Sequence, residues 1–179
     1  MHRRDLRLLD GGWASDIRLD SVAVAPSACL FTDDCTPLAE EILDRSVTMG
    51  AAETIGIMTR LVEETIAYLK QRRQFGRALA EFQVLRHRVA DMHIRLDLAR
   101  SAVLLAVANL PGDPDERRRA AAGAKVIADE AGLFVGQNAI QLHGAMGMTD
   151  ELAIGHFVKR LMVISADFGN AELYLDRFA

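Results

Sequence analysis

A chain of 179 residues, half of them hydrophobic and 26% charged, is long enough for one globular domain with its own core. Its formal net charge is −4 and no block of like charge exceeds Arg117-Arg118-Arg119, which excludes a nucleic-acid footprint; its apolar windows are too short and too broken by charge to span a bilayer. Residues 1–10 carry no apolar h-region, so no secretory leader is expected there, and Cys29 and Cys35, matching no zinc spacing, read as reduced thiols of a cytoplasmic protein.

Residues 1–35 differ in pattern from the rest. Asp16-Ile17-Arg18-Leu19-Asp20-Ser21-Val22 alternates polar and apolar, the period of a half-buried strand. Leu6 to Leu9 reads as a shorter strand, with Asp10-Gly11-Gly12 as the turn between them. Two strands cannot bury a face alone. This stretch is therefore expected to be part of a sheet whose other strands are missing or supplied by another chain.

From Thr36 onward the signal is helical. Thr36 is the expected N-cap, with Pro37 in the first helical position. Ile42, Met49, Ile55, Met58, Val62, Ile66 and Leu69 then recur near helical period. A second helix is predicted from about Glu81 to Leu110, with Leu85, Val89, Met92, Leu96, Ala99, Val103 and Ala106 on one stripe, and Pro111-Gly112-Asp113-Pro114 stops it. An Ala-rich third helix runs from Asp115 to His143. Glycines at 144 and 147 break it. A fourth, capped by Thr149, runs from Glu151 to Ala166; Phe168-Gly169-Asn170 separates it from a short last helix. Three helices of about thirty residues, each about 40–45 Å long and joined by short connections, predict a mainly α fold, an antiparallel four-helix bundle with a short N-terminal β remnant. The division expected is a partial β segment over 1–35 and a helical bundle over 36–179.

Two stretches carry chemistry. Arg72-Arg73-Gln74-Phe75-Gly76 ends the first helix. Its cations suit a helix C-terminus, and an arginine fork equally suits paired hydrogen bonds to a phosphate. Gln141-Leu142-His143-Gly144-Ala145-Met146-Gly147 is either a glycine-ended helix or a place where a ligand approaches the backbone closely. No metal site is expected: His87 and His93, six apart, do not share a helix face, and Asp91 reads as a surface partner of His87.

The order and spacing of these pieces, with Phe82-Gln83 opening the second helix, Ala90-Asp91-Met92 within it, and Gly155-His156-Phe157-Val158-Lys159-Arg160-Leu161 in the fourth, resembles the acyl-CoA dehydrogenase family over about residues 15–179. The likeness is greatest to members that resemble the small subunit of pimeloyl-CoA dehydrogenase. Such flavoproteins of fatty acid metabolism have an N-terminal helical domain, a middle β-domain and a C-terminal four-helix bundle, and they assemble as dimers or tetramers. The resemblance implies FAD-dependent α,β-dehydrogenation of an acyl-CoA thioester. It also implies a chain holding only the last β-strands and the bundle, incomplete for catalysis alone.

By the same resemblance, Arg72, Gln74 and Phe75 reach the FAD of a neighbouring subunit, with Arg72 on the pyrophosphate, and Gln141 and Gly144 line its adenosine end. Ala145 departs from the family, which usually has a second glycine there. The family's catalytic glutamate is replaced by Gly169-Asn170, and Ser46 stands at the alternative location in the first bundle helix. Asp44 and Asp167 are the nearest carboxylates to those two places, and Glu172 is one turn further on. The expected partners are copies of the chain, as a dimer or tetramer burying apolar faces of the long helices, or another acyl-CoA dehydrogenase subunit in a hetero-oligomer. In the latter case the chain is a non-catalytic, FAD-contacting or oligomerisation subunit. A helical module without flavin is the third reading.

Overall fold

The computed structural model describes residues 1–31 and 34–178. Two strands, β1 (His2–Arg7) and β2 (Trp13–Arg18), form an antiparallel hairpin. Helix α1 (Thr36–Gln71) follows, then a two-residue ribbon, β3 (Arg73–Gln74) and β4 (Arg77–Ala78). The rest is helical: α2 (Gln83–Asn109), α3 (Pro114–His143), α4 (Ile154–Ala166) and α5 (Ala171–Phe178). The expected antiparallel bundle forms around α3, which packs on α1, α2, α4 and α5.

Local chemistry sets the boundaries. Thr36 is the first helical residue of α1 and not its cap; the Asp34 carboxylate accepts from the Thr36 backbone N–H at 3.0 Å instead. Asp113 caps α3 by accepting from the amides of Asp115 (2.9 Å) and Glu116 (3.2 Å), with Pro114 in the first turn where no N–H is needed. The fourth helix begins three residues later than expected, and Thr149 donates its hydroxyl to the Met146 carbonyl rather than capping it. The strands are also displaced towards the N-terminus. β2 stops at Arg18, which pairs with His2 at the start of β1, and Ser21 takes φ 50° beyond it.

The stripe expected on α2 is the one observed, with Met92, Leu96, Ala99, Val103 and Ala106 buried against α3. The α1 stripe holds at Met58, Val62 and Leu69 and is corrected at its start. Ile42 and Met49 face solvent, while Val47, Thr48, Ala51, Thr54, Met58, Leu61, Thr65 and Leu69 are buried. The threonines enter the core because each hydroxyl donates to the carbonyl one turn back: Thr48 to Asp44 (2.8 Å), Thr54 to Gly50 (3.1 Å) and Thr65 to Leu61 (2.6 Å). Small residues on α3 let the helices close up. A Cβ at Gly132 would meet Thr54 Cγ2 at 3.0 Å and Leu161 Cδ2 at 3.3 Å, so α1, α3 and α4 meet at that glycine.

The hairpin is exposed along both strands except at Leu6. Its turn is tied to the bundle by Arg160 of α4, which donates to Asp10 (3.0 Å) and grips both oxygens of Glu53 on α1 (2.6 and 2.8 Å).

Candidate functional site

Helix α1 ends by redirecting the chain at Arg72, whose backbone turns extended at ψ 124° while its N–H still donates to the Tyr68 carbonyl at 2.8 Å. Pairing of Arg73 with Ala78 and Gln74 with Arg77 leaves Phe75-Gly76 as a two-residue turn. Both central residues are left-handed, with φ 53° and 81°, the turn type that matches hairpin twist. Glycine takes that conformation freely; a phenylalanine pays of order 1–3 kcal/mol. Phe75 is nonetheless 89% exposed at the tip. Supporting contacts stiffen the corner: Leu79 N–H donates to the Arg72 carbonyl (2.8 Å), Ala78 N–H to Glu81 (3.0 Å), and the Arg77 guanidinium lies 3.9 Å over the Phe82 ring.

The second motif is brought to the first by Tyr68 and His143. The rings lie 4.4 Å apart between centroids, and the Tyr68 hydroxyl donates to the His143 carbonyl at 3.3 Å. His143 is buried; its Nδ1 donates to the Ala139 carbonyl at 2.8 Å, which leaves Nε2 as the acceptor of the neutral ring. This contact locks the end of α1 to the end of α3. Gly144 then reverses the chain at φ 61°.

The result is one groove of about 500 Å³ that takes Arg72 and Gln74 from the corner and Gln141, Gly144 and Ala145 from the end of α3. Its remaining walls are largely apolar, among them Leu79, Leu85, Leu142 and Met146. Phe75 does not line it and stands outward. Sequence reasoning missed Arg88, which also lines the groove, one helical turn beyond Val84 and Leu85. The available signal was that spacing: a residue three and four positions after two groove-facing apolar residues shares their face.

A second, smaller pocket of about 280 Å³ lies between α1 and the α4–α5 turn. Ser46, Glu53, Lys125, Arg160, Asp167 and Phe168 line it. Its carboxylates differ in commitment. Glu53 is held by Arg160, whose hydrogen bonds keep that carboxyl below its usual range. Asp167 has no cation within ion-pair range among the described residues. Beneath the pocket, Lys125 donates to the Ile164 carbonyl at 2.7 Å and pairs with Asp129 at 3.0 Å, and burial pushes the Asp129 carboxyl up to about 6.

Asp44 does not line that pocket. Instead of standing free as a candidate base, it is 2% exposed and pairs with Arg117 at 3.1 Å and Arg177 at 3.7 Å. Gly169 and Asn170 have structural work of their own. Gly169 adopts φ 108°, and the Asn170 carboxamide oxygen accepts from Leu173 N–H at 3.1 Å, capping α5. A Cβ at Gly169 would fall 2.5 Å from Leu173 Cδ2. Glu172 is exposed on α5. Among the described residues no group of three or more His, Cys, Asp or Glu could hold a metal ion, and no helix is long and apolar enough to cross a membrane.

The family model for acyl-CoA dehydrogenase, C-terminal domain, matches residues 36–179. The chain is 36% identical over 138 residues to acyl-CoA dehydrogenase IpdE2 of Mycolicibacterium smegmatis, covering 77% of this chain and 41% of that protein. It is 31% identical over 165 residues to the probable acyl-CoA dehydrogenase YngJ of Bacillus subtilis, covering 91% and 43%. Among solved structures, a variant of the Tcur3481-Tcur3483 steroid ACAD superposes with a TM-score of 0.84 at 31% identity, covering 99% of this chain and 47% of that one. The chain thus spans about two fifths of the length of these curated relatives.

Proposed function

The chain belongs to the acyl-CoA dehydrogenase family, and on that footing we propose that it forms part of an FAD-dependent enzyme that removes hydrogen from the α and β carbons of an acyl-CoA thioester. Its own contribution is the helical bundle and a groove that grips the FAD diphosphate of a neighbouring subunit. One observation carries this: Arg72 and Gln74, about 70 residues from Gln141 and Gly144 in sequence, line the same groove.

The residues present fit the cofactor. The Arg72 guanidinium, with no carboxylate in ion-pair range among the described residues, presents a planar fork of the kind that binds phosphate oxygens in pairs. Gln74 and Gln141 add carboxamides that both donate and accept. Gly144 gives an open backbone approach; nothing lies within 4 Å of where its Cβ would stand. The exposed Phe75 tip, held in a conformation costly to phenylalanine, is suited to contact with a second chain. When bound, FAD supplies the acceptor for the hydride leaving the β carbon. The α proton needs a carboxylate, and the turn at Gly169-Asn170 offers none. Asp167 is the uncommitted carboxylate of the smaller pocket.

The alternative is a non-catalytic, FAD-contacting subunit of a hetero-oligomeric dehydrogenase. It is favoured by the backbone at Gly169, whose φ of 108° is closed to a glutamate without refolding the turn. In either role the chain is proposed to associate through α2, whose outer face shows Ile94, Leu98 and Leu105 to solvent at 57%, 58% and 60% exposure.

Purified protein tests both roles. Visible flavin absorbance that bleaches on adding an acyl-CoA supports the enzyme. A colourless chain that takes up FAD only with a second dehydrogenase subunit supports the alternative. Failure to bind FAD in any assembly overturns both and leaves an oligomerisation module.

A further inference from the structure

The groove holds a second cation that neither sequence motif contains. Arg88 lies one turn beyond Val84 and Leu85, and all three face the same space as Arg72. Elsewhere on the bundle Arg60, Arg100, Arg118 and Arg160 have carboxylate partners, while Arg86, Arg95 and Arg119 have none among the described residues but do not share a groove. Among the described residues neither Arg72 nor Arg88 has one, and no aspartate or glutamate lines the groove in a chain carrying 25 acidic residues. Two unpaired guanidiniums flanked by neutral carboxamides make a space suited to an anion that presents two separate phosphate groups.

We propose that Arg88 is a second phosphate-binding residue, so that Arg72 and Arg88 each take one phosphate of a diphosphate. The assignment rests on the reading of this groove as a cofactor site. Its reason is geometric. One guanidinium fork matches the oxygens of one phosphate. Arg72 offers one fork, and the apolar walls Leu79, Leu85 and Leu142 carry no counter-charge for a second phosphate, which is unfavourable for an anion drawn against them. Arg88 removes that penalty. The groove therefore discriminates a diphosphate from a monophosphate.

The test is titration of the intact chain with ADP and with AMP, read by backbone amide shifts, for the native protein, Arg72→Gln, Arg88→Gln, Arg88→Lys and the double Gln variant. Arg88 is exposed, so its replacement leaves the unfolding midpoint in place. The native chain binds ADP more tightly than AMP. Arg88→Gln weakens ADP about tenfold and brings it down to the AMP level, Arg88→Lys recovers part of the loss, and the double variant loses both nucleotides. Arg88→Gln that keeps the native preference for ADP, while Arg72→Gln loses it, overturns the assignment and leaves the cofactor reading standing. A native chain that binds neither ADP nor FAD, alone or with a partner subunit, overturns the two together.

Discussion

Asp44 separates a catalytic from a structural account of the same carboxylate. Its oxygens are shared by Arg117, itself buried, and Arg177, and the Arg177 Nε and Nη2 atoms are buried without a hydrogen-bond acceptor. Replacing Asp44 with Ala leaves two guanidiniums facing each other at the junction of α1, α3 and α5. Removing one partner of a buried pair costs about 3–5 kcal/mol, because the surviving charge keeps its desolvation penalty. For a chain of this size each kcal/mol moves the midpoint by about 2–4 °C, so thermal unfolding should fall by about 6–20 °C. Pairing Asp44→Leu with Arg117→Met should restore part of that loss, since an apolar replacement of a buried pair is often neutral. Circular dichroism during heating reads the effect. A midpoint within a degree of the native value would refute the buried-charge reasoning and return Asp44 to the list of candidate bases.

Asp129 has its carboxyl pushed up to about 6 from an ordinary 3.8, chiefly by burial, against the attraction of Lys125. A raised folded-state carboxyl favours folding below the ordinary value, and that contribution is lost as pH rises through about 4 to 6. The stability of Asp129→Asn minus that of the native chain should therefore grow across this window in urea titrations; a flat difference contradicts it. Arg160→Met should free the hairpin turn from the bundle, since Arg160 joins Asp10 to Glu53, and limited proteolysis should then cut within residues 1–35 faster while the bundle survives. Leu98→Glu with Leu105→Glu places charge on the outer face of α2 and should give a monomer by sedimentation, whereas an unchanged oligomer would move the interface elsewhere. Gly169→Ala forces a Cβ to 2.5 Å from Leu173 Cδ2 at φ 108° and should cost at least about 1–3 kcal/mol in chemical denaturation; a neutral effect would mean the turn is adaptable.

The parts of the fold legible in sequence were those where one residue type has one structural use. The α2 stripe was readable because only apolar or small residues occupy it, and the Pro111 to Pro114 stop because proline and glycine punctuate helices whatever surrounds them. The α1 stripe was legible at Met58, Val62 and Leu69 but not at its start, because its other core positions include threonines that satisfy their hydroxyls on their own helix and so mimic a surface face. The Asp44–Arg117–Arg177 cluster joins residues 73 apart through Arg117, and nothing local marks a charge as buried. The groove was half legible. Its two motifs carry unusual residue types at helix ends, whereas Arg88 sits in an ordinary helical stretch and gains meaning only from what α1 and α3 place opposite it.

The two cavities sit at different heights on one helix, and that separation bears on how such a chain would act. Lys125 borders the smaller pocket and Gln141 the groove; the step from one to the other along α3 amounts to about 24 Å at 1.5 Å per residue. A cofactor gripped by its diphosphate in the groove does not bridge that length to this chain's own smaller pocket, so under the proposed function the groove serves a cofactor whose chemistry lies in another subunit. The two cavities are then free to diverge. The groove carries unpaired arginines and carboxamides, while the turn beside the smaller pocket is a glycine reversal with an asparagine cap. That division of labour is what a hetero-oligomer of one catalytic and one supporting subunit requires, and it makes FAD uptake by the mixed assembly the measurement on which the two proposed roles part.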